Sequence, residues 1–103
     1  MKTSIPKLRI EVPLLHKAAL IFRAVNNKVR LQILNLLVAN KRMMVSSLYE
    51  NLRLEQSATS QHLAILRKAG FVNTEREGRC IYYSINYERL KELHTYATQL
   101  LKV

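Results

Sequence analysis

The stretch "SATSQHLAILRKAG", residues 57–70, decides how the rest of the chain is read. Stepped at about 100° per residue, it gathers Thr59, His62, Leu63 and Leu66 on one side and Ser57, Ser60, Gln61, Ala64 and Lys68 on the other. That is the pattern of an amphipathic helix, and Gly70 supplies the left-handed position that stops it. The polar side holds no carboxylate, whereas most surface helices mix both signs of charge. A face of hydroxyls, an amide and a lysine is suited to an anionic surface.

Working outward, "RLEQ" is a brief connection to a short helix, "SLYENL", with Ser46 or Ser47 as its cap and Leu48 and Leu52 facing in. The two helices make a helix-turn-helix pair. Upstream, Asn27 is placed to cap "KVRLQILNLLVAN", whose Val29, Ile33, Leu34, Leu36 and Leu37 read as core, whose Asn40 ends the helix, and whose notable polar residue is Arg30. Pro13 suits the first turn of "PLLHKAALIFRAV", with Leu14, Leu15, Ala18, Ile21, Phe22 and Val25 on one broad stripe. Leu20 and Ala24 fall off that stripe, which implies a second apolar surface such as another subunit. Residues 1–12, with Pro6 and three basic residues, read as an N-terminal arm, and 13–103 as one domain.

Downstream, "FVNTER" and "RCIYYSI" carry the strand formers Phe71, Val72, Ile81, Tyr82, Tyr83 and Ile85, and Glu77-Gly78 is read as the turn between them. "YERLKELHTYATQLLKV" closes the chain as an amphipathic helix through Leu90, Leu93, Ala97, Leu100 and Leu101. The expected fold is mostly α with a β-hairpin wing: a winged helix-turn-helix of about five helices in the order ααααββα.

Composition narrows the function. The 103 residues carry 17 Lys+Arg against seven acids, a net charge of +10, which favours an anionic partner. All seven acids are glutamates; none lies between Glu11 and Glu50 or between Gln56 and Thr74. The single Cys80 excludes an intramolecular disulfide, and no apolar run approaches the roughly 20 residues of a membrane span, so a cytoplasmic location is expected. With no Asp, two glycines and no nucleophile–base–orienter set, an enzyme is not expected.

Double-stranded DNA fits the residues 57–68. Gln61 matches adenine bidentately, Ser57 and Ser60 reach a base or phosphate near the helix N-terminus, Ala64 suits a thymine methyl, and Arg67 and Lys68 suit phosphate. Arg76 and Arg79 flank the hairpin tip and would face a minor groove or the flanking backbone. A protein-interaction module or RNA binder on the same fold is the competing reading. Protein docking would want apolar or aromatic anchors on the helix, which shows Ser, Ser, Gln and Lys instead.

"QSATSQHLAILRKAGFVNTEREGRCIYYSIN" resembles the recognition helix and wing of the ArsR-type (ArsR/SmtB) bacterial transcriptional repressors. The shared pattern is Ser57, Ser60, His62, Leu63, Leu66, Ala69, Gly70, Arg76, Gly78, Arg79, Tyr82, Tyr83 and Ser84. "AVNNKVRLQIL" is similar to the family's second helix, with Asn27-Lys28 where Asp-Pro is usual. The resemblance implies a homodimer, a repressor acting on a pseudo-palindromic operator, with Gln56, Ser57, Ala58, Ser60, Gln61, Ala64 and Lys68 on the recognition helix. Leu15, Ala19, Leu20, Phe22, Leu90, Leu93, Ala97 and Leu100 would form the dimer interface.

The family's usual metal ligands are absent from their positions. "MVSSLYENL" has no cysteine, and the closing-helix ligands fall on Tyr87, Arg89, Leu100 and Val103, so no metal or cofactor is expected and the effector is unknown. His16 and His94, on the two dimer helices, are the remaining candidates for a shared site; Met43, Met44 and Cys80 read as packing residues.

Overall fold

The computed structural model describes residues 11–102. Its elements are α1 (Val12–Val25), α2 (Lys28–Asn40), β1 (Arg42–Met44), α3 (Val45–Leu52), α4 (Gln56–Lys68), β2 (Val72–Glu77), β3 (Cys80–Ile85) and α5 (Tyr87–Leu101). The expected arm falls outside the described residues except for Glu11 and Val12, and Val12 is already helical.

Local chemistry sets the boundaries. Asn27 caps α2 by accepting from the Arg30 N–H at 3.0 Å, and Asn86 caps α5 by accepting from the Arg89 N–H at 3.4 Å. At the end of α4, Gly70 N–H donates to the Arg67 carbonyl and Phe71 N–H to the Leu66 carbonyl, both at 2.9 Å, with Gly70 at φ +87°. This pair of bonds is a Schellman closure, and it sends Phe71 straight into the core.

Ile33 and Leu37 of α2, Leu48 of α3, Leu63 and Leu66 of α4, and Phe71 are wholly inaccessible to solvent. Each such side chain contributes about 1.5–3 kcal/mol of hydrophobic free energy. Three helices thus meet at one point, and α4 is held by its inner residues while its opposite side stays in water. The sheet, in order β1-β3-β2, covers the core with Met43, Val72 and Ile85.

Four expectations are corrected. First, the hairpin is part of a three-stranded sheet: β1 pairs antiparallel with β3, Met43 opposite Tyr83. Three residues between helices are too few to show period-two alternation, and the strand exists through its partner. Second, α3 starts at Val45 after Met44, and no side chain caps it, so Ser46 and Ser47 lie inside its first turn. Third, Glu77 pairs with Cys80, which makes Gly78-Arg79 the turn. Gly78, at φ +61°, takes the first central position, where a two-residue hairpin loop favours glycine. Fourth, Ala24 is the buried residue of α1, at 1% exposure, whereas Leu14 and Leu15 of the expected stripe are exposed. Only the C-terminal end of α1, from Ile21 on, meets the core, and a small side chain at position 24 is what lets it approach α2.

Candidate nucleic-acid interface

On α4 the sequence places Gln56, Ser57, Ser60, Gln61, Ala64, Arg67 and Lys68 within an arc of about 140° at 100° per residue, and all of them are exposed. Thr59, Leu63 and Leu66 are buried opposite. Ala58 departs from the expected set: it is half-buried and lies about 60° outside the arc. Glu55 precedes the helix without a side-chain cap, and Thr59 N–H is the donor to its carbonyl at 3.0 Å. The N–H groups of Gln56, Ser57 and Ala58 therefore point outward without intrahelical acceptors, an arrangement that favours phosphate.

The wing has two differently charged faces. Thr74, Arg76, Ile81 and Tyr83 share the face that carries Val72 and Ile85 into the core, so Arg76 projects beyond the core on the helix side of the sheet. Glu75, Glu77 and Tyr82 occupy the other face. There Arg42 reaches across from β1: its Nη1 lies 2.8 Å from Glu77 and 3.3 Å from Glu75, and its guanidinium stacks 4.0 Å above the Tyr82 ring. The bond from Arg42 holds the Glu77 carboxyl below the usual range. The wing's two carboxylates are thus partly offset by the one guanidinium of β1, while Arg76 and the tip residue Arg79 stay exposed and form no ion pair among the described residues.

Two polar clusters fix α4 from behind. Arg30, 8% exposed, donates from Nε to the Ala24 carbonyl at 2.6 Å and from Nη2 to the Arg23 carbonyl at 3.2 Å, while its Nη1 lies 3.2 Å from Nδ1 of His62. The guanidinium satisfies the C-terminal carbonyls of α1, where cations are favoured, and its third contact is to α4. As the acceptor, His62 Nδ1 must be unprotonated; burial, then the nearby Arg30 charge, pushes its pKa below the ordinary 6.5. His62 is therefore a packed residue, in agreement with its sequence reading. The second cluster is Asn86: its Nδ2 donates to the Gly70 carbonyl at 2.8 Å, and its N–H donates to the Phe71 carbonyl at 2.9 Å. One residue thereby joins the exit of α4 to the start of α5.

Sequence reasoning missed Arg42 as the counterion of the wing, because its partners lie more than thirty positions away and its strand went unseen. It also passed over Ile65, 43% exposed on the flank of α4 beside α1. An apolar residue breaking a polar edge was the available signal.

The expected dimer residues divide into two groups. Leu15, Ala19 and Phe22 are exposed on one side of α1, and Leu100 is exposed near the end of α5. Leu90 and Leu93 are half-buried against the chain's own core, and Ala97 is half-buried one turn farther. Leu20, also exposed, turns toward α4. His16 and His94 are exposed on α1 and α5, and Cys80 is a half-buried free thiol in β3. Among the described residues no three His, Cys, Asp or Glu side chains gather as metal ligands would, and no helix is long and apolar enough to cross a membrane.

This geometry matches known proteins. The family model for bacterial regulatory proteins of the arsR family matches residues 27–74, from the cap of α2 into β2. The transcriptional activator HlyU of Vibrio cholerae serotype O1 is 42% identical over 77 residues, 75% of this chain and 70% of that protein. Among solved structures, NolR from Sinorhizobium fredii superposes with a TM-score of 0.70 at 33% identity, covering 91% of this chain and 97% of that one. The transcriptional repressor PagR of Bacillus anthracis does so with a TM-score of 0.67 at 31% identity, covering 84% and 99%.

Proposed function

Because the chain belongs to the arsR family of bacterial regulatory proteins, among whose relatives HlyU is named a transcriptional activator and PagR a transcriptional repressor, we propose that it is a homodimeric regulator reading a pseudo-palindromic DNA operator. The observation that carries this reading is the acid-free, fully exposed arc of α4, set beside a wing whose arginines are free and whose two glutamates share the Arg42 guanidinium. In the major groove, Gln61 pairs with an adenine edge, Ala64 packs on a thymine methyl, and Ser60 bonds a base or phosphate. The free N–H groups at the start of α4 take a phosphate with Ser57, and Arg67 and Lys68 take others. Arg76 and Arg79 reach the flanking minor groove or backbone.

Dimerisation would use the outer faces of α1 and α5, including the exposed Leu15, Ala19, Phe22 and Leu100 and the half-buried Ala97. Two copies of α4 then read half-sites about one helical turn apart, or a multiple of it. The relatives include one named an activator and one named a repressor. The sign of regulation accordingly follows from where the operator lies relative to the promoter; an operator overlapping the promoter gives repression. A bacterial cytoplasm is the compartment where this DNA is met.

The test is selection of genomic fragments by the purified protein at near-physiological salt, followed by sequencing. Enrichment of one inverted repeat is expected. Uniform recovery, or recovery of RNA or protein partners instead, would overturn the reading. On the enriched site, Gln61→Ala is expected to cost about 1–3 kcal/mol at one base position, whereas Arg79→Ala weakens specific and non-specific duplexes alike.

A further inference from the structure

A cleft of about 400 Å³ separates α1 from α4, lined by Lys17, Leu20, Ile21, Ile65, Lys68 and Ala69. This volume lies within the range of small-molecule sites. Its lining is aliphatic apart from two ammonium groups. Leu20 and Ile65 remain 42% and 43% exposed across it, although polar side chains at either position would have suited solvent better. No carboxylate lines the cleft, and the ion pairs among the described residues involve Arg42 and Arg89, leaving Lys17 and Lys68 without one. The sequence reinforces this, because α1 after Glu11 and all of α4 contain no acid.

An aliphatic slot bordered by uncompensated cations is complementary to a molecule with an apolar body and one negative end. Nucleic acid supplies the charge without the body, and a neutral hydrocarbon the body without the charge. We propose that the α1–α4 cleft binds a small amphipathic carboxylate, its hydrocarbon between Leu20, Ile21 and Ile65 and its carboxylate at Lys17 and Lys68. The regulatory consequence rests on the DNA-binding reading: Lys68 serves both the cleft and the phosphate-facing arc, so an occupied cleft competes with operator binding. By linkage, the operator lowers carboxylate affinity by the same factor.

The test uses the full chain, labelled with ¹⁵N, titrated with decanoate and, separately, with decanol. Saturable amide shifts at residues 17–21 and 65–69 are expected, with decanoate binding about tenfold more tightly than decanol, which is the worth of roughly one charge-assisted contact. Leu20→Gln and Ile65→Gln, both at exposed positions, should abolish the shifts while leaving the rest of the spectrum intact. Lys17→Gln should erase most of the preference for the acid. The proposal is overturned by no saturation up to about 1 mM probe, by shifts centred elsewhere, or by equal binding of acid and alcohol. Operator binding is measured in parallel. Decanoate bound in the cleft with unchanged operator affinity would overturn the competition alone, whereas a protein that binds decanoate but no operator would overturn the DNA-binding reading and leave the cleft standing.

Discussion

A guanidinium buried at position 30 would be costly if unpaired, and here two carbonyls and one imidazole meet it in place of a carboxylate. The arrangement depends on His62 staying neutral, and the sign of its pH effect follows. The folded-state pKa is depressed, so the unfolded chain binds the proton more readily, and stability is lost as pH falls from about 6.5 through the folded value. Chemical denaturation between pH 7.5 and 5 (roughly the window in which histidine titrates) is expected to show this loss. His62→Gln, which keeps an acceptor that does not titrate, should flatten the profile. An unchanged slope would remove His62 as its origin. The sequence made Arg30 conspicuous and marked His62 as a packing residue, but their pairing spans 32 positions and had no local signature.

Elements whose ends are written in short-range chemistry were legible before the structure. Asn27, Asn40 and Gly70 mark their boundaries as expected, since each acts on its own helix. Gly70→Ala would force a Cβ into a left-handed conformation and to within 2.9 Å of Arg89 Nε. The flexible Arg89 head can move, so the backbone term dominates, and a loss of about 1–2 kcal/mol in a urea melt is expected. No loss would mean that α4 ends without the closure. β1 was illegible because a three-residue strand is specified by its neighbour, and with it went the salt links of Arg42. That residue supplies the next expectation: Arg42→Ala leaves Glu75 and Glu77 uncompensated beside phosphate, so affinity for a non-specific duplex should fall severalfold in anisotropy titrations, most at low salt. Equal affinity would place the sheet's outer face away from DNA.

At the scale of the whole fold, the described residues span 59 × 25 × 24 Å, with a radius of gyration of 17.0 Å, against about 13 Å for a compact chain of 100 residues. Its length comes with helices that are incompletely buried: Leu14, Leu15, Leu100 and Leu101 are all more than half exposed. The surplus apolar width of α1 was legible, but which of its residues belonged to the chain's own core was not, because Ala24 is recruited by the approach of α2 while Leu14, Leu15 and Leu20 stay exposed. For the proposed dimer through α1 and α5, Leu15→Glu should give a folded monomer by sedimentation and weaken operator binding by about 10²-fold or more through lost avidity. A monomeric parent protein would rule out that interface. In the dimer proposed above, Asn86 would supply the mechanics of a caliper. Its amide clasps the end of the reading helix within one residue of where the pairing arm begins, so no slack loop lies between jaw and pivot. The gap between two jaws is then fixed at the pivot, and one extra base pair at the operator's centre, turning a half-site by roughly 35°, should be felt as a misfit that neither helix absorbs.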